Sequence, residues 1–236
     1  MNKVFECDAQ KLDAGMTGTE VTQIYQEAYN DGKENGYTPV IVFLDDTLED
    51  HINFVFEEGG GSAAYTNSIL KSNHSNGKEL FEERYAEFEG SYGSEFLAVD
   101  DENLDILISM NSGDSKSDFF PAINAHEGEA YLVKVPTERP YEIFAWIPFG
   151  GWNECPDSET MIAMCKYWYD EYGAVPTMIT RDTLSFYLNK PISDEDTAIN
   201  IAKEQCVFCC DILGMGGIEA YVAMTLNGNV WSFWWD

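Results

Sequence analysis

Thr38-Pro39-Val40-Ile41-Val42-Phe43-Leu44 is an unbroken apolar run of strand length, the pattern of a strand covered on both faces. Before it, Thr17-x-x-Glu20 has the spacing of a capping box. Val21, Ile24, Tyr25 and Ala28 then recur at helical spacing, and the helix is expected to end near Gly32 or Gly36. Thr47-x-x-Asp50 predicts another helix start, with Ile52, Val55 and Phe56 on one side. Residues 3–8 have the composition of a short strand. The first part of the chain thus alternates strand and helix, which implies helices packed on a sheet. Gly59-Gly60-Gly61-Ser62 breaks the pattern, and the polar stretch from there to Gly77 reads as a loop. The glycine run is not followed by the Lys-Ser/Thr pair of a phosphate-binding loop. Residues 78–89 form an acidic amphipathic helix carrying Phe81, Tyr85 and Phe88. Leu104, Ile106 and Ile108 alternate with their neighbours, which predicts a strand. The stretch Asn111 to Asp118 reads as a linker, and its Asp and Asn residues lack the order of a calcium-binding EF-hand.

The second half is more sharply patterned. Tyr131 to Val135 and Tyr141 to Phe149 read as strands. Gly150-Gly151-Trp152-Asn153-Glu154-Cys155-Pro156 is a turn that feeds a helix capped by Asp157 or Ser158. Met161, Cys165, Trp168 and Tyr172 form one continuous face of that helix, and Gly173 stops it. Residues 175–180 and 183–188 look like two strands. Ser193-x-x-Asp196 opens a helix that runs to about Cys210, with acids in its first turn where the helix dipole favours them. A short helix carries Ile218, Tyr221, Val222, Thr225 and Leu226. Val230 to Trp235 closes the sequence as a strand, with Trp231, Phe233 and Trp235 on one face and Trp234 on the other. The fold expected is α+β: mixed sheet layers covered by amphipathic helices. Two sub-domains are expected, an N-terminal α/β part over 1–125 and a C-terminal α+β part over 126–236.

Composition narrows the function classes. The 236 residues hold 42 Asp and Glu against 13 Lys and Arg, a formal net charge of −29. With 44% hydrophobic residues, the chain can bury a core despite that charge. Binding nucleic acid needs lysine and arginine to displace counterions, so nucleic acid is not an expected partner, and neither is an anionic membrane. The charge favours a basic protein, a cation or no partner at all. Acid-rich surfaces also serve solubility alone. No signal-peptide pattern opens the sequence, and no apolar run approaches the ~18–20 residues of a membrane helix, so a cytoplasmic location is expected. In that compartment the six cysteines are thiols. Cys206, Cys209 and Cys210 fall on one helical stripe, with no second pair to complete a zinc site. They read as core, and no metal or cofactor is expected.

Two segments concentrate chemistry. The turn from Gly150 to Asp157 offers Trp152, the donor and acceptor of Asn153, and Cys155 just before a helix N-terminus, where a thiolate is favoured. A cysteine nucleophile would need a base, and His126 is the candidate from elsewhere in the chain. At the other segment, Trp231-Ser232-Phe233-Trp234-Trp235-Asp236, Trp234 and Asp236 could face a ligand or partner. Two further carboxylates, Asp182 and Asp211, could pair with Asp157 or Asp236 to bind a cation or to act as acid and base. Each of these residues also has a plain structural reading, as a cap, a buried thiol or a surface acid.

Gly150-Gly151-Trp152-Asn153-Glu154-Cys155-Pro156, Trp168, Tyr172-Gly173-Ala174, Asp182-Thr183-Leu184, Ala202-x-x-Gln205, Asp211 and the final Trp-x-Phe-Trp-Trp-Asp together resemble a bacterial family, domain of unknown function 4253 (DUF4253), over about residues 141–236. Cys206 stands where the family's pattern has an aromatic residue, so the cysteine cluster is particular to this chain. The resemblance implies an α+β bacterial domain and supplies no catalytic residues. With no complete catalytic motif, the reading favours a binding protein for a basic partner, of the immunity or inhibitor kind. The alternative is an enzyme or a small-ligand or metal-binding domain, with its site between the Gly150–Asp157 turn and the Trp231–Asp236 strand.

Overall fold

A computed structural model describes residues 4–111 and 119–236. Six strands form one mixed sheet: β1 (Asp8–Lys11), β2 (Thr38–Leu44), β3 (Glu129–Val135), β4 (Ala174–Ile179), β5 (Thr183–Leu188) and β6 (Val230–Trp234). Their spatial order is β1-β3-β2-β4-β5-β6. Only β2 and β4 run parallel, joined in register at Ile41–Met178 and Val42–Ile179; the other neighbours are antiparallel. Strands from residues 1–125 and from 126–236 interleave, since β3 lies between β1 and β2. All seven residues of β2 are buried, which is why that strand reads as a continuous apolar run.

The two faces of the sheet are covered unequally. One face receives α1 (Gly18–Asn35) and the segment around Phe120 and Ile123, which pack on Ile41, Phe43, Leu132 and Met178. The other face supports a much larger core. It holds α2 (Asp46–Glu58), α3 (Ser62–Lys71), α4 (Gly77–Tyr92), α5 (Asp101–Asn111), α6 (Ser158–Tyr172), α7 (Glu195–Phe208) and α8 (Gly217–Thr225). At its centre Trp168 is fully buried among Phe81, Phe186, Phe208, Trp231 and Phe233, with ring centroids 4.8–5.6 Å away. Alternation puts Trp231, Phe233 and Trp235 into this core and leaves Trp234 39% exposed on the other face.

Several local expectations hold. Thr17 and Glu20 form the capping box of α1, and Asp157 caps α6, which ends at Gly173. Others are corrected. Among the described residues the first strand is Asp8–Lys11; residues 4–7, expected in it, are not strand, and residue 3 lies outside the described residues. Asp45 rather than Thr47 caps α2, because its carboxylate accepts from the Leu48 amide at 2.9 Å. Asp194 likewise displaces Ser193 at α7, accepting from the Thr197 amide at 2.8 Å. The stretch after Gly61 holds a helix, α3, where a loop was expected. Residues 101–111 are helical, not a strand. Leu104, Leu107 and Ile108 lie i, i+3 and i+4 apart and pack against the core, while Ile106 is 52% exposed. Tyr141 to Phe149 does not pair with the sheet; Pro140–Ala145 is a 3₁₀ turn whose residues are all buried. The linker reading at 112–118 lies outside the described residues. No helix among the described residues is long and apolar enough to cross a membrane.

Candidate functional site

The turn from Gly150 to Asp157 packs against the end of β6. Gly150 has φ +86°, and a Cβ there would lie 1.9 Å from the Pro156 carbonyl oxygen, so the turn closes only on glycine. The Gly151 amide donates to the Cys155 and Pro156 carbonyls at 3.1 and 3.2 Å. Asn153 takes a left-handed conformation, φ 46°, tolerated by asparagine. From there its side-chain amide donates to the backbone oxygen of Asp236. The Asp236 amide donates to the Asp211 carboxylate at 3.1 Å, and the Trp235 amide to the Asp182 carbonyl at 3.0 Å. Asn153, Asp182, Asp211 and Asp236 are thus gathered around one strand end. They meet through backbone groups, however, not carboxylate to carboxylate.

The side chains at this strand end are engaged within the protein. Asp157 caps α6, accepting from the Thr160 amide at 2.9 Å. Burial works against the Asp182 carboxylate, but hydrogen bonds from the Thr180, Thr183, Arg181 and Trp234 side chains hold it below the usual carboxylate range. Trp152 stacks edge-on against Phe149 at 5.1 Å and against His51 at 4.9 Å. His51 was not singled out by sequence, because only the fold brings α2 to the turn. Burial lowers its pKa, and its Nε2 has no hydrogen-bond partner among the described residues.

Cys155 is not arranged as a nucleophile. It is 4% exposed, and burial pushes its thiol well up, with Cys209 adding to the effect and Arg84 opposing it. Cys206 and Cys209 are pushed up to about 12, chiefly by burial. The Cys209 thiol donates to the Trp234 carbonyl at 3.0 Å. His126, the candidate base, lies against Phe43 at 4.6 Å; burial lowers its pKa, and the Asp182 charge works the other way without cancelling it. No group of three or more His, Cys, Asp or Glu is arranged to hold a metal among the described residues.

A second concavity was not legible in the sequence. It lies where β2 ends, beyond the end of β4 and at the start of β3, and encloses about 590 Å³. Asp45, Asp46, Glu49, Glu127 and Glu129 line it together with one cation, Arg181. The Arg181 guanidinium is 2.8 Å from Glu127, 3.4 Å from Asp45 and 3.4 Å from Asp182. Local structure explains why the acids are held there. Asp45 caps α2, and Asp46 and Glu49 occupy its first turn, where the helix dipole favours carboxylates. Gly128, with φ +87°, brings the Glu127 and Glu129 backbone against Leu44; a Cβ there would lie 2.4 Å from the Leu44 oxygen. Glu129 is held below the usual range by hydrogen bonds from Lys11 and Tyr131.

Fold and sites together define an acidic α+β protein with a mixed six-stranded sheet and an acid-lined cleft at the end of its parallel strand pair. Residues 131–236 match the family described as Domain of unknown function (DUF4253), a stretch that includes the resemblance read over about residues 141–236. No curated protein and no solved structure matches the chain.

Proposed function

We propose that this chain is a non-catalytic binding protein of the bacterial cytoplasm that recognises a basic protein, in the manner of an immunity or inhibitor protein. The observation that carries the reading is the cleft at the C-terminal ends of β2 and β4. Five carboxylates line it against a single guanidinium. Arg181 models the interaction: one planar cation already pairs with two of these acids, Asp45 and Glu127. An arginine or lysine of a partner would enter beside it and find Asp46 and Glu49, which make no ion pair among the described residues. The net charge of −29 would steer such a partner and make association salt-sensitive. The buried, upshifted thiols support a role without covalent chemistry.

The test is capture from host lysate at low salt, comparing the wild type with a cleft-neutralised variant, Asp46→Asn/Glu49→Gln/Glu127→Gln. The reading expects a stoichiometric basic protein that elutes in a salt step from the wild type and is lost from the variant. Equal capture of that protein by the variant would contradict it.

One observation favours a small-ligand site at the Gly150–Asp157 turn as a second reading. His51 Nε2 and Trp235 Nε1 are both buried without hydrogen-bond partners among the described residues, on either side of Phe149 and Trp152. Alanine at Asn153, Asp211 and Asp236 would then abolish ligand binding in a folded protein, whereas unfolding of all three variants would mark them as structural.

A further inference from the structure

The acid cleft is already occupied from within. Arg181 lies in the short connection between β4 and β5, residues 180–182. The turn beneath it is fixed. The Thr180 amide donates to the Thr183 carbonyl at 2.9 Å, the Thr180 hydroxyl to the Asp182 carboxylate at 2.9 Å, and the Asp182 carbonyl accepts from the Trp235 amide at 3.0 Å. From this base the Arg181 side chain reaches over the cleft. Its Nη1 lies 2.8 Å from Glu127 Oε2 and 3.4 Å from Asp45 Oδ2, and its Nε lies 3.4 Å from Asp182 Oδ2. Asp45 thereby divides its oxygens: Oδ1 accepts from the Leu48 amide at 2.9 Å to cap α2, and Oδ2 faces the cation.

The contact closes off most of the cleft's acceptors. Asp45 and Glu127 are held by Arg181, and Glu129 by Lys11 and Tyr131. Asp46 and Glu49 are the two lining acids outside these pairings. A partner that needs more than those two must take Asp45 and Glu127 from Arg181. Two features make that displacement cheap. The Arg181 side chain is 45% exposed and Glu127 78% exposed, so their pair sits in water, where such contacts are worth little. The bonds that fix the turn run through Thr180, Asp182, Thr183 and Trp235, so the guanidinium can swing to solvent while the turn stays in place.

We propose that Arg181 is an autoinhibitory contact, a resident guanidinium that competes with the partner's cations for Asp45 and Glu127. The inference rests on the cleft reading above and adds the regulation of that site. A single cation gains Asp46 and Glu49 and leaves Arg181 where it is. A segment carrying several cations anchors one of them there, and the next then meets Asp45 and Glu127 at high effective concentration and displaces Arg181. The contact thus sets the cleft for clustered arginines or lysines over lone cations.

The test is calorimetric titration of an oligo-arginine peptide into three full-length proteins: the wild type, Arg181→Gln and Lys166→Gln. Lys166 is also an exposed, ion-paired cation, bound to Asp170, but it lies outside the cleft lining. Arg181→Gln should bind roughly fivefold more tightly or better, from the usual worth of the exposed ion pairs that no longer compete. Lys166→Gln should stay within about twofold of the wild type, because its charge is screened from the cleft. In isotope-labelled wild type, saturating unlabelled peptide should move the Arg181 Nε–H resonance to the position of a solvated arginine, a readout that needs no variant to fold. Three results overturn the inference and leave the cleft reading standing: wild-type binding that Arg181→Gln does not tighten, equal tightening in Lys166→Gln, or an Arg181 resonance unmoved at saturation. Absence of binding by both the wild type and Arg181→Gln overturns the cleft reading and the inference with it.

Discussion

Asn153 donates its side-chain amide to the backbone oxygen of Asp236, a residue 83 positions away. The bond joins the glycine-rich turn to the end of β6, and with Asp211 and Asp182 it holds the strand end from three directions. The over-specified motifs of this region act as a fastening. Asn153→Gly keeps the left-handed backbone and removes the bond. It should cost about 1 kcal/mol in urea unfolding and speed hydrogen exchange at the Trp235 and Asp236 amides. Unchanged exchange at those amides would show that the bond does not hold the strand end.

Trp168 is the centre of the larger core, touching five aromatic rings and donating its indole N–H to Glu204 at 2.8 Å. Trp168→Ala should destabilise the protein by about 3–5 kcal/mol. Denaturant midpoints measured by circular dichroism test this, since a loss under ~1 kcal/mol does not fit a fully buried indole.

Glu204 carries a pH dependence of definite sign. Burial raises its pKa above the ordinary value; hydrogen bonds from Trp168 and Tyr167 work the other way and do not cancel it. The fold therefore favours the protonated acid. The stabilisation is full below the unfolded-state pKa, near 4.5, and is lost as pH rises through the folded value. Glu204→Gln stays neutral throughout. Relative to the wild type, it should gain stability as pH rises above the unfolded-state pKa and through the folded one. Parallel curves for the two proteins would contradict the assignment.

The thiols should follow their burial. Cys155, Cys165, Cys206 and Cys209 are buried, whereas Cys210 is half-exposed. Alkylation of the native protein, followed by peptide mass spectrometry, should label Cys210 before these four. They should react only after unfolding. Fast labelling of Cys155 in the native state would instead restore it as a candidate nucleophile.

Legibility from sequence followed a physical rule. Elements with one dominant signal were readable: β2 because both its faces are buried, α1 and α6 because cap, stripe and stop agree. Ambiguous signals misled. Leu104, Ile106 and Ile108 alternate like a strand, but Leu107 completes a helical face with Leu104 and Ile108, and packing against α8 decides for the helix. Tyr141 to Phe149 is apolar enough for a strand, yet its first part, to Ala145, lies buried in a 3₁₀ turn, and period alone cannot distinguish the two. α3 begins without a side-chain cap, so nothing announced it. At the candidate site, motif density found Asn153, Asp182, Asp211 and Asp236, but not that backbone groups would join them. The acid cleft was invisible because Asp45, Glu127 and Arg181 come from three separate loops.

The central claim, that recognition of a basic partner is local to the cleft and not a property of total charge, is tested most directly by titration calorimetry with an oligo-arginine peptide. Three proteins are compared: the wild type, Asp46→Asn/Glu49→Gln/Glu127→Gln, and a control that neutralises exposed acids of α4, Glu82→Gln/Glu83→Gln/Glu87→Gln. Each triple variant loses the same charge. The account predicts affinity at least about tenfold weaker for the cleft variant and near wild type for the α4 control, since charged hydrogen bonds are short-ranged and strong. Equal weakening in both variants would contradict it, because binding would then follow net charge alone.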